Sequence, residues 1–234
     1  MNKDTSSAKP LAEMVEENLI QYIIENDMQA GDRIPNEFEL AEKLGVSRST
    51  IREAVKLLVS RNVLVIRRGA GTYVSDKKGI AEDPLGLAFV HDKYALAMDL
   101  LDVRIILEPE IASMAAIKAT DEEIEQIVDQ CRKVEELYEK GEDHRLEDVK
   151  FHELIARCSR NVVIEKIIPV INTAVVLFAD ITKRKLKQET ISTHRDIADA
   201  IRSRDPGAAK YAMMMHLIYN RQMIAKLIKE RDEK

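Results

Sequence analysis

Four side chains in the C-terminal half of the chain have the types and spacing to hold a metal ion. Asp148 and His152 stand four residues apart, so on a helix they project from one face and reach a common point. His194 and His216 follow, the second within Met213-Met214-Met215-His216-Leu217, an apolar setting for an imidazole. Three imidazoles and one carboxylate form a borderline donor set suited to Zn²⁺, to Ni²⁺ or to a neighbouring divalent ion such as Mn²⁺. Spacing alone leaves a second reading open, because an Asp-x-x-x-His pair is also a common surface capping or ion-pair arrangement. His91 and His144 read as solvated residues flanking helices, and Cys131 and Cys158 as core residues of helices.

A second group of residues points to polyanions. Residues 43–72 carry Lys43, Arg48, Arg52, Lys56, Arg61, Arg67 and Arg68 against the single acid Glu53, a net +6 within a chain of net −5, so the remainder sums to −11. A basic footprint on an otherwise acidic chain fits nucleic-acid contact by one module. The run from Ile34 to Ser47 reads as a helix and a turn, with Asn36 as cap, Glu39 three residues on, and Gly45 free to take a left-handed turn. Ser47 caps a second helix to about Arg61, with Ile51, Val55, Leu58 and Val59 facing inward. Ser47, Arg48, Ser49 and Thr50 then fill its first turn and Arg52 the next. In a helix-turn-helix this end enters the major groove, where hydroxyls and arginines reach phosphates and base edges. Two β-branched runs in 62–74 flank Arg68-Gly69-Ala70-Gly71 and form a two-strand wing.

The elements that must position these groups are mostly helices. The chain has 234 residues, 45% hydrophobic and 33% charged, with 4% aromatic residues, no Trp, 8 Gly and 6 Pro. That content fills a core but supplies few of the turns of a sandwich or barrel. The expected fold is mainly α: residues 1–75 as a winged helix-turn-helix domain, 76–84 as a linker, and 85–234 as an all-helical antiparallel bundle. Helices are expected near 93–118, 121–140, 144–159, 161–187, 190–204 and 206–231. Thr120 with Glu123 forms a capping box, Gly141 is a stop, and Asp205-Pro206 pairs an N-cap with an N1 proline. Ile164, Ile167, Ile168, Ile171, Val175 and Phe178 mark a buried stripe that Pro169 interrupts and kinks. Two cysteines make no disulfide framework, no apolar run nears the ~18 residues of a membrane span, and the N-terminus is too polar for a signal peptide. A soluble, reducing, cytoplasmic setting with no membrane partner is the expectation.

The stretch PNEFELAEKLGVSRSTIREAVKLLVSRNVLVIRRGAGTYV, Pro35 to Val74, resembles the DNA-binding domain of GntR-family bacterial transcription regulators almost without gaps. The resemblance implies that Ser47, Arg48, Thr50 and Arg52 contact an operator and that Gly69 at the wing tip enters the minor groove. Phe38 departs from the pattern, since members of the family often carry Arg there, and this puts one operator contact in doubt.

Residues from about 85 to 231 resemble the FCD ligand-binding domain of the FadR subfamily. The resemblance rests on Leu101-Asp102-Val103-Arg104 with Leu107-Glu108-Pro109, on Asp148 to His152 with Arg160-Asn161, on Thr193-His194-Arg195, and on His216. It implies that Asp148, His152, His194 and His216 ligate a divalent metal whose open positions take a small carboxylate effector. Arg104 has two readings, a pocket guanidinium gripping that carboxylate or a surface ion pair with Glu108, and the resemblance favours the pocket. Asn172 faces either the ligand or a satisfied interior.

The expected function is a homodimeric regulator, by family a repressor, binding an inverted-repeat operator and released by a sugar acid or hydroxy acid. A metal-dependent enzyme and a constitutive DNA binder with a purely structural dimerisation domain are the alternatives. No HExxH helix, nucleophile elbow or Gly-rich phosphate loop supports the first of these.

Overall fold

A computed structural model describes residues 10–77, 79, 83–172, 176–177, 181 and 187–233. The chain divides into two compact units, Met1–Pro84 and Leu85–Lys234.

The first unit begins with α1 (Leu11–Glu25), whose Val15 and Leu19 face the core. In α2 (Glu37–Leu44) the Asn36 side chain accepts from the Glu39 backbone while the Glu39 carboxylate accepts from the Asn36 backbone, satisfying donors the helix start leaves over. Gly45 ends α2 at φ +65°. Ser47 then caps α3 (Arg48–Ser60), which sends Ile51, Ala54, Val55 and Leu58 inward. Strands β1 (Leu64–Arg67) and β2 (Gly71–Val74) pair antiparallel, with Leu64 opposite Val74 and Arg67 opposite Gly71. The result is the expected helix-turn-helix with a two-strand wing.

After a 3-10 turn at Leu87–Phe89, the second unit is built of α-helices: α4 (Lys93–Lys118), α5 (Asp121–Lys140), α6 (Arg145–Cys158), α7 (Val162–Ile171), α8 (Lys187–Arg202) and α9 (Pro206–Asp232). The Thr120–Glu123 capping box and Gly141 at φ +70° bound α5, and Asp205 caps α9 ahead of Pro206. The long helices α4 and α9 pack extensively and are braced by Arg221–Asp102 and Lys210–Glu110 ion pairs. Cys131 and Cys158 lie in the core as expected, where burial pushes both thiols up to about 11.

Two sequence expectations need correction here. The helix expected over 161–187 ends at Ile171, and Asn172 is a turn residue; Val175 and Phe178 lie outside the described residues. Of the stripe, Ile168 and Ile171 are buried, but Ile167 is 42% exposed. The short α7 packs on α6 and α4 and buries fewer positions than the apolar spacing offers. His144 is not solvated: it is fully buried and stacks on Tyr138 with ring centroids 3.6 Å apart. A flanking position read as solvent-facing is instead folded in by that aromatic face.

Candidate metal centre and nucleic-acid interface

Helix α6 turns Asp148 and His152 to the same inner face, α8 supplies His194 and α9 supplies His216, each no more than 8% exposed. One ring nitrogen from each of the three histidines lies within 4.8 Å of the others. Asp148 Oδ1 stands 3.4 Å from His194 Nε2 and 3.6 Å from His152 Nε2. Bonds of about 2.0–2.1 Å to one ion space its ligand atoms roughly 3.3 Å apart; the distances from Asp148 to His152 and His194 are near that value, while the cluster of atoms within 4.8 Å of one another holds the three histidines and not Asp148. Among the described residues, Asp148 Oδ1 and both ring nitrogens of His194 have no hydrogen-bond partner although they are buried. Unsatisfied donors and acceptors at such depth are costly, and a cation would satisfy the lone pairs.

The protonation states suit that role. Burial, reinforced by neighbouring His152 and Arg104, holds the His194 imidazole well below its ordinary range, and burial with His194 and His152 does the same for His216. Both are therefore neutral, the ligating form, near pH 7. Burial raises the Asp148 carboxyl, although His152 and Arg104 oppose the rise.

Arg104 is 1% exposed on α4, so the ion pair expected with Glu108 forms, but in the interior and not on the surface. Its guanidinium pairs with Glu108 one turn on, and its Nη2 lies 3.1 Å from His152 Nε2, so the ion pair is interior rather than superficial. Phe151, fully buried, stacks on His194 with centroids 4.5 Å apart. Asn172 is also buried, its amide without a partner among the described residues, but no hydrogen bond joins it to the histidines.

Three residues escaped the sequence reading as parts of this chamber. Glu108 Oε2 lies 2.7 Å from His152 Nδ1; Thr193 Oγ1 lies 2.9 Å from His216 Nδ1; and Asn220 Nδ2 lies 3.3 Å from His216 Nε2. The i,i+4 spacing of His216 and Asn220 was an available signal, as was the adjacency of Thr193 and His194.

In the first unit, Ser47 Oγ accepts from the Thr50 backbone at 3.2 Å and contacts the Ser49 and Thr50 hydroxyls at 2.7 and 2.8 Å. Arg48 is exposed and reaches solvent from the first turn of α3. Arg52 is exposed too, but Glu37 holds it through bonds of 3.1 and 2.7 Å to Nε and Nη2. That ion pair lowers the Glu37 carboxyl and fixes one edge of the guanidinium. Gly69 has φ +73° at an open wing tip, with no atom within 4 Å of where a Cβ would stand, so its backbone is accessible to a partner. Arg67 lies over the Tyr73 ring, 4.4 Å from its centroid. Phe38 is 62% exposed on α2.

A groove-reading helix and wing in one unit, and a buried polar chamber in an all-helical second unit, define a transcription regulator with its own sensing module. The chain belongs to the GntR family of bacterial regulatory proteins, whose model matches residues 11–74, and residues 99–218 match the FCD domain. It is thus a regulator and not an enzyme. It is 31% identical to "Uncharacterized HTH-type transcriptional regulator YcbG" of Bacillus subtilis (strain 168), over 99% of this chain and 96% of that protein. The "Putative L-lactate dehydrogenase operon regulatory protein" of Escherichia coli (strain K12) is 30% identical, over 89% and 84% of the two chains. A solved structure, Streptococcus agalactiae GntR, superposes with a TM-score of 0.81 at 40% identity, covering 90% of this chain and 99% of that one. No helix among the described residues is long and apolar enough to cross a membrane.

Proposed function

We propose that the chain is a metal-dependent repressor that binds an inverted-repeat operator as a homodimer and is released by a small carboxylate. The observation carrying this reading is the gathering of three buried imidazoles, two of them within 3.6 Å of the unpartnered Asp148 oxygen. Asp148, His152, His194 and His216 would hold a divalent ion, zinc before nickel or manganese given three nitrogen donors. When bound, such an ion supplies open positions to a carboxylate oxygen. Arg104 supplies a second positive charge beside it, and Asn172 offers an amide to the rest of the ligand. The name of one relative, the "Putative L-lactate dehydrogenase operon regulatory protein", supports a hydroxy acid, with sugar acids in the same chemical class.

On the DNA side, Ser47, Arg48, Thr50 and Arg52 face the operator and Gly69 lets the wing approach a phosphate or minor groove. Effector binding changes operator affinity only by its preference for one arrangement of the dimer.

Thermal denaturation in the presence of hydroxy acids and sugar acids, with and without chelator, tests the reading. At a ligand concentration 100-fold above Kd the stabilisation is about 2.7 kcal/mol, and chelator should abolish it. His152→Ala and His216→Ala should keep operator binding and lose the response. An effector response unchanged in both variants and in chelator would refute the metal-borne sensor.

A further inference from the structure

We propose that Glu108 is the positioning residue of the metal centre: it takes the Nδ1 proton of His152 and so turns the Nε2 lone pair toward Asp148. This rests on the metal reading above and adds to it a residue outside the ligand set.

The tautomer follows from what each neighbour is able to do. An ionised carboxylate only accepts, and Glu108 Oε2 lies 2.7 Å from His152 Nδ1. Arg104 Nη2 lies 3.1 Å from His152 Nε2 and 3.3 Å from Nδ1, nearly equidistant, so it stands over the ring and fills neither lone pair. The ring therefore satisfies Glu108 with its hydrogen on Nδ1, which leaves the lone pair on Nε2. That Nε2 is also the atom 3.6 Å from Asp148 Oδ1.

Glu108 faces the Arg104 guanidinium with both oxygens, the geometry of an ionised carboxylate. Its side chain is 3% exposed and bonded to Arg104 through both oxygens, which fixes it against α4. His216 has a weaker counterpart. The Thr193 hydroxyl donates to the Glu189 carbonyl at 2.8 Å, so its oxygen accepts from His216 Nδ1 at 2.9 Å. His194 has no such backing among the described residues. An ionised acceptor orients an imidazole more firmly and raises its basicity more than a neutral one does, which singles out Glu108.

The test uses the full chain stripped with chelator and titrated with Zn²⁺ against a chromophoric competitor. Glu108→Gln should weaken Zn²⁺ by about 10–100-fold, and ¹⁵N imidazole shifts of the stripped protein should show His152 losing its preference for hydrogen on Nδ1. Glu108→Gln leaves Arg104 buried without its counter-charge, so a fall in stability alone must be separated. Arg104→Gln/Glu108→Gln restores the charge balance of the wild type, so comparing it with the wild type repeats the measurement without an unpaired buried charge, and the double variant should again bind more weakly. If the wild type binds no Zn²⁺, the metal reading and this inference fall together. If the wild type binds Zn²⁺ while both comparisons show equal affinity and an unchanged His152 tautomer, Glu108 has no positioning role and the metal reading stands.

Discussion

Acid should loosen the helical unit in a range where most proteins are indifferent. His194 and His216 are 1% and 2% exposed, and burial holds both imidazoles well below their ordinary value of 6.5. In the unfolded chain they titrate normally, so below pH 6.5 the unfolded state binds protons that the folded state refuses, and stability is lost as pH falls. At pH 5.5 each histidine costs about 1.4 kcal/mol, together about 2.8 kcal/mol or roughly a hundredfold in the opening equilibrium. Asp148 works the other way, because its raised carboxyl takes up a proton in the folded state before it would in the unfolded chain. Asp148→Asn removes that offset and should show the full effect. Hydrogen exchange of α6, α8 and α9 amides at pH 7.5, 6.5 and 5.5, in chelator and corrected for intrinsic rates, reads it directly. His216→Gln should halve the loss in the Asp148→Asn background. Protection constant within a factor of about two from pH 6.5 to 5.5 in that background would refute the argument from buried neutral imidazoles.

Other perturbations address the remaining parts. Arg48→Ala should weaken operator binding more than binding to random DNA and reduce the log–log salt slope by about 0.9; equal losses on both DNAs would assign Arg48 to the backbone alone. Phe151 is fully buried against His194, so Phe151→Ala should cost about 3–5 kcal/mol in urea denaturation. A loss under about 1 kcal/mol would mean that the stack is not part of a close-packed wall. Phe38→Ala should change stability by no more than about 0.5 kcal/mol, given its exposure. If the ring contacts a thymine methyl, replacing single operator thymines by deoxyuridine should weaken the wild type at one position per half-site and leave the variant insensitive. No such position in the wild type excludes the contact.

Much of the scaffold could be read from local signals. Asn36 with Glu39, Thr120 with Glu123, and Asp205 before Pro206 each act within a single helical turn, and the expected bounds of α4 and α5 coincide with those observed. The gathering of His152, His194 and His216 was legible mainly through the family resemblance, because spacing and apolar context alone left a surface ion pair open. What sequence left hidden depends on a third body. His144 is buried because Tyr138 comes to lie against it, and no spacing rule announces that encounter. Arg104 presented a choice between a surface pair with Glu108 and a pocket, whereas the fold draws the pair itself inward toward His152. Ile167 shows the converse: apolar periodicity marks what a helix is able to bury, and its neighbours decide how much they cover.

The interior of the helical unit is unusually polar, with Arg104, Glu108, Asp148, His152, Asn172, Thr193, His194, His216 and Asn220 all shielded from solvent. A fold built around such groups draws less on hydrophobic burial than its size allows, and anything that completes their bonding shifts the population away from protease-sensitive, partly open forms. Under the proposed reading, occupancy would then be registered twice in a growing cell: at once as a change in promoter occupancy, and over generations as a change in how many copies of the polypeptide survive.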